Sequence, residues 1–435
     1  MPSKQMQSHR KELKKKPKPE FVNNGLSDET DLEQFLLKDA RQGYNPVYDQ
    51  SAFTAFTDVT PETDVKTLNL NWHEQDLPER VRTKHVHRLH PYLGKFIPQL
   101  VEIFLRKYKS RKVYDPFCGS GTTLVEASVI GIDSVGCDIS PFNCLLSKVK
   151  TDIYDLVFLE KEIKDILQKF NVTVQQKRQP SLFGDRQLVS TDNDYLKRWF
   201  HPEALSELLT FRSFIPQYKN QDLLKVILTR AARSSRLTTH FDLDFPKRPQ
   251  TEPYYCYKHG RTCTPTNSAA RFINRYCLDT LDRVKHYMKL RTKASVQIIE
   301  GDAREAKLPA FDMVMTSPPY VGLIDYHEQH RYAYELLGLS RAAESKEIGA
   351  AKKGNSQQAR KNYISEIEQV YSHALSFMPR NGVIVTVIGD RQGLFSGLVK
   401  TLNVKVEHIL RRHVNRRTGR RSTDFYENVL VWRKR

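Results

Sequence analysis

A short apolar strand, a turn with two glycines, a helix and a second strand ending in an acid follow one another between residues 112 and 138. The order KVYD, PFCGSG, TTLVEASVIG, DSVGCD reads as a parallel β-α-β unit, because parallel strands need a crossover that a helix supplies. A chain built on such a unit folds as an open, doubly wound α/β sheet that binds ligands beyond the carboxyl ends of its strands. Gly119 and Gly121 permit a tight turn and close backbone approach to a ligand. Asp138 closes the second strand 19 residues after Gly119, where an acid takes the ribose hydroxyls of nucleotide-like cofactors. No GK[ST] follows, so the turn is not a Walker A loop, and it falls short of a full GxGxxG. Asp115, at the end of the first strand, suits an ammonium group. A cofactor with both a ribose and an amino-acid tail fits these two acids, and S-adenosyl-L-methionine is such a molecule.

The rest of the chain divides around this unit. Residues 1–28 form a polar basic arm whose first twenty residues carry a net charge of +5; a nucleic-acid contact and a merely solubilising tail fit it equally. Residues 29–85 make an extension in which DETDLEQFLLKDARQ has the pattern of a short helix opened by acids. Within 86–150, Ile97, Leu100, Val101, Phe104 and Leu105 predict an amphipathic helix over 97–108, ahead of the first strand. Residues 151–290 break the alternation with mainly helical patterns and an irregular stretch, THFDLDFPKRPQTEPYYCYKHGRTCTPT, before a helix over about 267–290. Across 291–435 strands return at 295–302, 311–320, 382–390, 404–413 and 426–434, with a helix over 361–378. The pattern is a sheet interrupted by a helical insertion.

The strand at 311–320 ends in Thr316-Ser-Pro-Pro-Tyr320. Two prolines fix φ and remove two N–H donors, so the chain leaves the strand stiffly with its carbonyls outward. Ser317 and the carbonyls offer acceptors for an exocyclic amine, and Tyr320 offers a ring to stack on a base.

DPFCGSGTT together with TSPPY resembles the amino-methyltransferases of DNA, which methylate adenine N6 or cytosine N4. The resemblance covers residues 85–150 and 295–435. His90-Pro-Tyr-Leu-Gly-Lys-Phe-Ile-Pro-Gln-Leu100 is similar to that family's motif X, and Gly301-Asp302 to the acidic motif that reads the cofactor's adenine. GVIVTVIGD resembles its fifth sheet strand, and HILRRH with YENVLVWRK its closing hairpin. The resemblance implies a Rossmann-like, seven-stranded, mostly parallel sheet with an antiparallel C-terminal hairpin and a largely helical insertion. It implies S-adenosyl-L-methionine as cofactor, held by His90, Phe96, Asp115, Phe117, Cys118, Gly119, Gly121, Asp138 and Asp302. It implies catalysis at Ser317, Pro318, Pro319 and Tyr320 on a base flipped out of duplex DNA. The insertion at 151–290 would carry target recognition, although it lies before the Gly301-Asp302 motif rather than after it.

Serine before Pro-Pro-Tyr is the usual residue of the cytosine-N4 enzymes, and Asp or Asn of the adenine enzymes, so Ser317 favours cytosine N4. Adenine N6 and an RNA or tRNA amine stay open as alternatives. Attack at cytosine C5 needs a nucleophilic cysteine, in that family after a proline, and no Pro-Cys pair occurs. The implied setting is the modification enzyme of a restriction–modification system, cytoplasmic and nucleoid-associated in a bacterium or archaeon, with a cognate endonuclease as possible partner.

Charge agrees with a polyanionic substrate. Sixty-nine Lys and Arg against 50 Asp and Glu leave +19 over 435 residues. Six arginines fall in RRHVNRRTGRR (411–421), read as a loop between the last two strands, and Arg416, Arg417, Arg420 and Arg421 are its candidate phosphate contacts. Arg230 and Arg233, at helical spacing with Arg236, are further candidates, although a bland exposed helix fits as well. Mean hydropathy is −0.57 and no run of about 18 apolar residues occurs, so no membrane span is expected. Six cysteines make no disulfide framework, and Cys118 is expected to be structural. Cys256, His259, Cys263 and Cys277 match zinc spacing only loosely, and no metal is expected. His85, His87 and His90 cluster with no neighbouring carboxylate in sequence, which suggests contacts to cofactor or DNA.

Overall fold

The computed structural model describes residues 55–72, 76–178, 188–237, 248–256, 260–390, 392–414 and 425–435. The basic arm, the acidic helix pattern within 28–42, His259 and the arginines at 416–421 lie outside them.

Along the chain run α1 (Pro98–Tyr108), β1 (Lys112–Asp115), α2 (Thr122–Ile130), β2 (Asp133–Asp138) and α3 (Pro141–Thr151). Then come α4 (Leu156–Arg178), α5 (Asp194–Trp199), α6 (Pro202–Phe214), α7 (Gln221–Ser235), β3 (Tyr254–Cys256), β4 (Arg261–Cys263) and α8 (Ala270–Met288). The last part holds β5 (Val296–Glu300), β6 (Met313–Thr316), α9 (Arg331–Leu337), α10 (Gln357–Ser376), β7 (Val383–Ile388), β8 (Val404–Val414) and β9 (Phe425–Lys434). Seven strands form one sheet in the order β5-β2-β1-β6-β7-β9-β8. The first five are mutually parallel, and β9 runs antiparallel to both β7 and β8. This is the Rossmann-like sheet with an antiparallel terminal hairpin. Its order reverses between β1 and β6, which opens a crevice at their carboxyl ends.

Alternation along the strands sorts the core into two layers. Val113, Met313, Met315, Val383, Val385, Val429 and Val431 face α1, whose Leu100, Val101, Phe104 and Leu105 are buried against them. Tyr114, Val314, Ile384 and Leu430 face Ile367, Val370, Tyr371 and Ala374 of α10. Pro98 starts α1 at a position where its missing N–H is harmless. Val59, Val65, Leu68, Leu70 and Trp72 of the extension join the α1 layer, a contribution that no periodicity in the sequence announces.

Helices α3 to α9 share the third apolar cluster, on Phe142, Phe170, Leu208, Ile227, Ile273 and Tyr334. Three local readings change. The irregular stretch contains the β3–β4 ribbon, three residues a side, with Gly260 at φ +61° beside it; strands that short carry no readable period. The strand read over 311–320 stops at Thr316, because Pro318 and Pro319 cannot donate to a ladder. Conversely, 411–414 is strand rather than loop. Arg412 sits there nearly buried, its Nε donating to Glu427 at 2.9 Å, and Arg411 lies over the Tyr426 ring at 4.4 Å. Among the described residues no helix is long and apolar enough to cross a membrane.

Candidate cofactor and target site

The carboxyl ends of β1, β2, β5 and β6 open into one cleft. Its wall is built from the Gly turn outward. Gly119 has φ +51° and Gly121 φ +79°, and a Cβ on Gly119 would meet Tyr92 Oη at 3.0 Å. A Cβ on Gly121 would meet the Ser147 backbone at 3.1 Å, so both positions demand glycine. The turn is pinned from behind. Ser147 Oγ donates to the Gly119 carbonyl at 2.9 Å, and the buried Lys150 Nζ donates to the Ser120 carbonyl at 2.9 Å.

Asp138 lies on the wall, but its carboxylate is already committed. It accepts from the Gly119 N–H and the Ser140 N–H at 2.9 Å each, and from Asn143 Nδ2 at 3.1 Å. Burial outweighs those bonds and raises its acid to about 6. Asp302 is also on the wall, clamped by Arg304 through Nε at 2.9 Å and Nη2 at 2.5 Å. Phe96, Phe117 and Cys118 line the cleft as well, and burial pushes the Cys118 thiol well up, against a reactive role.

Three residues of the expected cofactor set are not on the wall. Asp115 is fully buried behind the turn. It accepts from Thr123 Oγ1 and Thr316 Oγ1 at 2.7 Å each and from the Phe117 N–H at 3.1 Å. It therefore ties the Gly turn to the end of β6 rather than facing an ammonium group. Gly121 stands one position behind the lining, where Thr122 takes its place. His90 is buried, donating from Nδ1 to the Pro91 carbonyl at 2.9 Å, with Nε2 3.3 Å from Tyr332 Oη. It is a packing histidine between Phe142 and Tyr332.

Ser317 and Pro319 line this same cleft, with Gly119, Asp138 and Asp302. Pro318 is buried beneath them. Tyr363 Oη donates to the Pro319 carbonyl at 2.9 Å. Tyr320 is half-buried just beyond the lining; its hydroxyl donates to Glu427 at 2.8 Å and its ring leans on Phe425.

Several wall residues escaped the sequence reading: Tyr92, Lys95, Asn143, Tyr326, His327 and Glu347. Tyr92 stacks on Tyr326 at 5.5 Å and on His330 at 5.4 Å. The run DYHEQHRYAY directly after the proline corner was the available signal, dense in rings that a plain loop does not need.

The arginines of α7 do not face solvent. Arg230 is 8% exposed, bonded to Asp279 at 2.6 Å and stacked over Tyr276 at 4.1 Å. Arg236 is buried over Tyr332, and Arg233 is half-buried beside Tyr332 and Tyr276. That face of α7 is turned toward α8 and α9, which takes Arg230 off the surface and leaves Arg233 half-buried. The histidine cluster is also corrected. Glu126 of α2 reaches His87 Nε2 at 2.7 Å, with Lys84 Nζ 2.8 Å from the other carboxylate oxygen. Among the described residues His85, His87 and Glu126 are the group compact enough to hold a metal, and the Lys84 ammonium already sits against its carboxylate. Cys256 and Cys277 are buried and unbridged.

Sheet order, glycine turn and crevice together define a Rossmann-like methyltransferase. The comparisons narrow this. A type II methyltransferase of Methanocaldococcus jannaschii, M.MjaII, is 35% identical over 434 aligned positions that cover 81% of each chain. The type II methyltransferases M.MvaI of Kocuria varians and M.BsoBI of Geobacillus stearothermophilus are each 26% identical. They match over 54% and 59% of this chain and 53% of their own lengths. No family model matches. The chain belongs to the type II methyltransferases.

S-adenosyl-L-methionine is the cofactor, and the cleft fits it. Among the described residues three buried polar atoms of the wall, Ser120 Oγ, Asn143 Oδ1 and His327 Nε2, have no hydrogen-bond partner. Left unmatched, such an atom costs about 1–3 kcal/mol; the hydroxyls and amino-acid group of the cofactor would supply matches.

Proposed function

We propose that the chain is a site-specific DNA methyltransferase acting on the exocyclic N4 of cytosine, as the modification enzyme of a restriction–modification system. The observation that carries this reading is the shared cleft: Ser317 and Pro319 stand on the same wall as Gly119 and Asp138. When bound, the cofactor supplies a methyl group on a positively charged sulfur. The chain's own part is to hold the acceptor. Ser317 Oγ and the Pro318 carbonyl accept from the amino group of a flipped-out base, which localises its lone pair toward the methyl. Tyr320, steadied through Glu427, offers its ring to the base. Asp302 takes the cofactor's adenine, and Phe96 and Phe117 its apolar edges. The type II names of the three relatives support DNA as substrate and a cognate endonuclease as partner. The arginines at 416–421 are the proposed phosphate contacts, and the helices between β2 and β5 the proposed target-recognition part.

The test is incubation with methyl-labelled cofactor and unmethylated duplex DNA, with tRNA in parallel, followed by nucleoside analysis by mass spectrometry. N4-methylcytosine from DNA is the expected product. N6-methyladenine would overturn the choice of base, and label confined to tRNA the choice of nucleic acid.

A further inference from the structure

The helical turn Tyr326–Gln329 carries His327 to the cleft wall, where it is fully buried. Its Nδ1 lies 2.7 Å from one oxygen of Glu347, and the other oxygen accepts the Tyr326 N–H at 2.8 Å. A carboxylate only accepts, so Nδ1 carries a proton, and in the neutral ring Nε2 then presents a lone pair. Among the described residues no atom meets Nε2. The dyad is a preset hydrogen-bond acceptor on a cofactor wall.

Its position relates it to Asp138. The His327 ring is 5.3 Å from Tyr334, whose hydroxyl is 2.6 Å from Ser140 Oγ. Ser140 in turn donates its N–H to Asp138. Both Glu347 and Asp138 line the cleft. Asp138 accepts three bonds from the protein, which leaves about one of a carboxylate's four lone-pair sites. A ribose presents two hydroxyl donors, so one acid so occupied cannot match both.

We propose that His327, oriented by Glu347, accepts a hydrogen bond from one ribose hydroxyl of the methyl donor, while Asp138 takes the other. The assignment rests on the cleft being the seat of S-adenosyl-L-methionine.

Calorimetric titration of the full chain with S-adenosylhomocysteine and its 2′-deoxy and 3′-deoxy analogues tests it without DNA. The unaltered protein is expected to bind each of the two analogues about tenfold more weakly. His327→Phe is expected to bind S-adenosylhomocysteine about tenfold more weakly and to lose discrimination against one analogue while keeping it against the other. Glu347→Gln, which keeps the shape but lets Nδ1 become an acceptor, is expected to lose the same discrimination and serves if the first variant does not fold. An unaltered protein indifferent to either hydroxyl overturns the proposal. So does discrimination against both analogues that survives both substitutions, which would point to Asn143 Oδ1. A protein that binds no S-adenosylhomocysteine at all overturns the reading of the cleft itself.

Discussion

Ser317 is the first residue past β6, half-buried at a corner that two prolines stiffen. Its side chain lines the cleft, and among the described residues its hydroxyl holds no structural hydrogen bond. Ser317→Ala is therefore expected to leave S-adenosylhomocysteine affinity within about twofold and to slow single-turnover methyl transfer about 10²-fold or more. Equal loss of both would mark a packing role. Gly119→Ala places a Cβ 3.0 Å from Tyr92 Oη at φ +51°. It is expected to cost about 1–2 kcal/mol of stability and to weaken cofactor binding, measured by urea unfolding and calorimetry. Asp138 gives a pH signature of two opposite signs. Burial raises its folded-state acid from 3.8 to about 6, so the folded chain binds this proton more readily than the unfolded chain. The group's contribution to stability is full below about pH 4 and is lost as pH rises through about 6. Cofactor affinity runs the other way, because the carboxylate form accepts the Gly119 N–H that shapes the turn. Titrations with S-adenosylhomocysteine are expected to be level above pH 7 and to weaken below about 6, less steeply in Asp138→Asn, where the buried Asp115, also raised to about 6, still titrates behind the turn.

At the scale of elements, the strands and the Gly turn were legible because each carries a local period or a local conformational demand. Residues 112–115 and 133–138 became β1 and β2 as read. What sequence could not show was which side chains a turn faces inward. Asp115 and Asp138 look alike in sequence, each ending a strand. Thr123 and Thr316, eight and about two hundred residues on, claim Asp115 and withdraw it behind the turn. Arg230, Arg233 and Arg236 have the spacing of an exposed basic stripe. Asp279, Tyr276 and Tyr332, far along the chain, convert the stripe into an internal seam. Arg230→Ala is accordingly expected to destabilise the chain by about 2–3 kcal/mol in urea unfolding, since it unpairs one contact of Asp279 and empties packed space. It should leave the salt dependence of DNA binding unchanged. Replacing Arg416, Arg417, Arg420 and Arg421 with alanine is expected to do the reverse. The slope of log affinity against log salt should flatten by about 0.9 for each phosphate contact removed, with stability held.

For the whole molecule, the chain order matters less than the place where its halves converge. The Gly turn follows β1, Asp302 follows β5, and the proline corner follows β6, so parallel strand direction alone carries all three to one edge of the sheet. The fourth side of the cleft comes from the segment after the proline corner, through Tyr326, His327 and Glu347. That segment also packs on the helical part, through Asn193 to Glu335 at 2.7 Å and Arg212 to the Leu336 carbonyl at 2.8 Å. The helical part and the cofactor cleft therefore share one flank. The most direct measurement is a crystal structure of the protein with sinefungin and a duplex that carries its target. The account predicts an extruded cytosine with its amino nitrogen within about 3.5 Å of both Ser317 Oγ and the transferring end of sinefungin. A base left stacked in the duplex, or sinefungin seated away from Gly119, would contradict it.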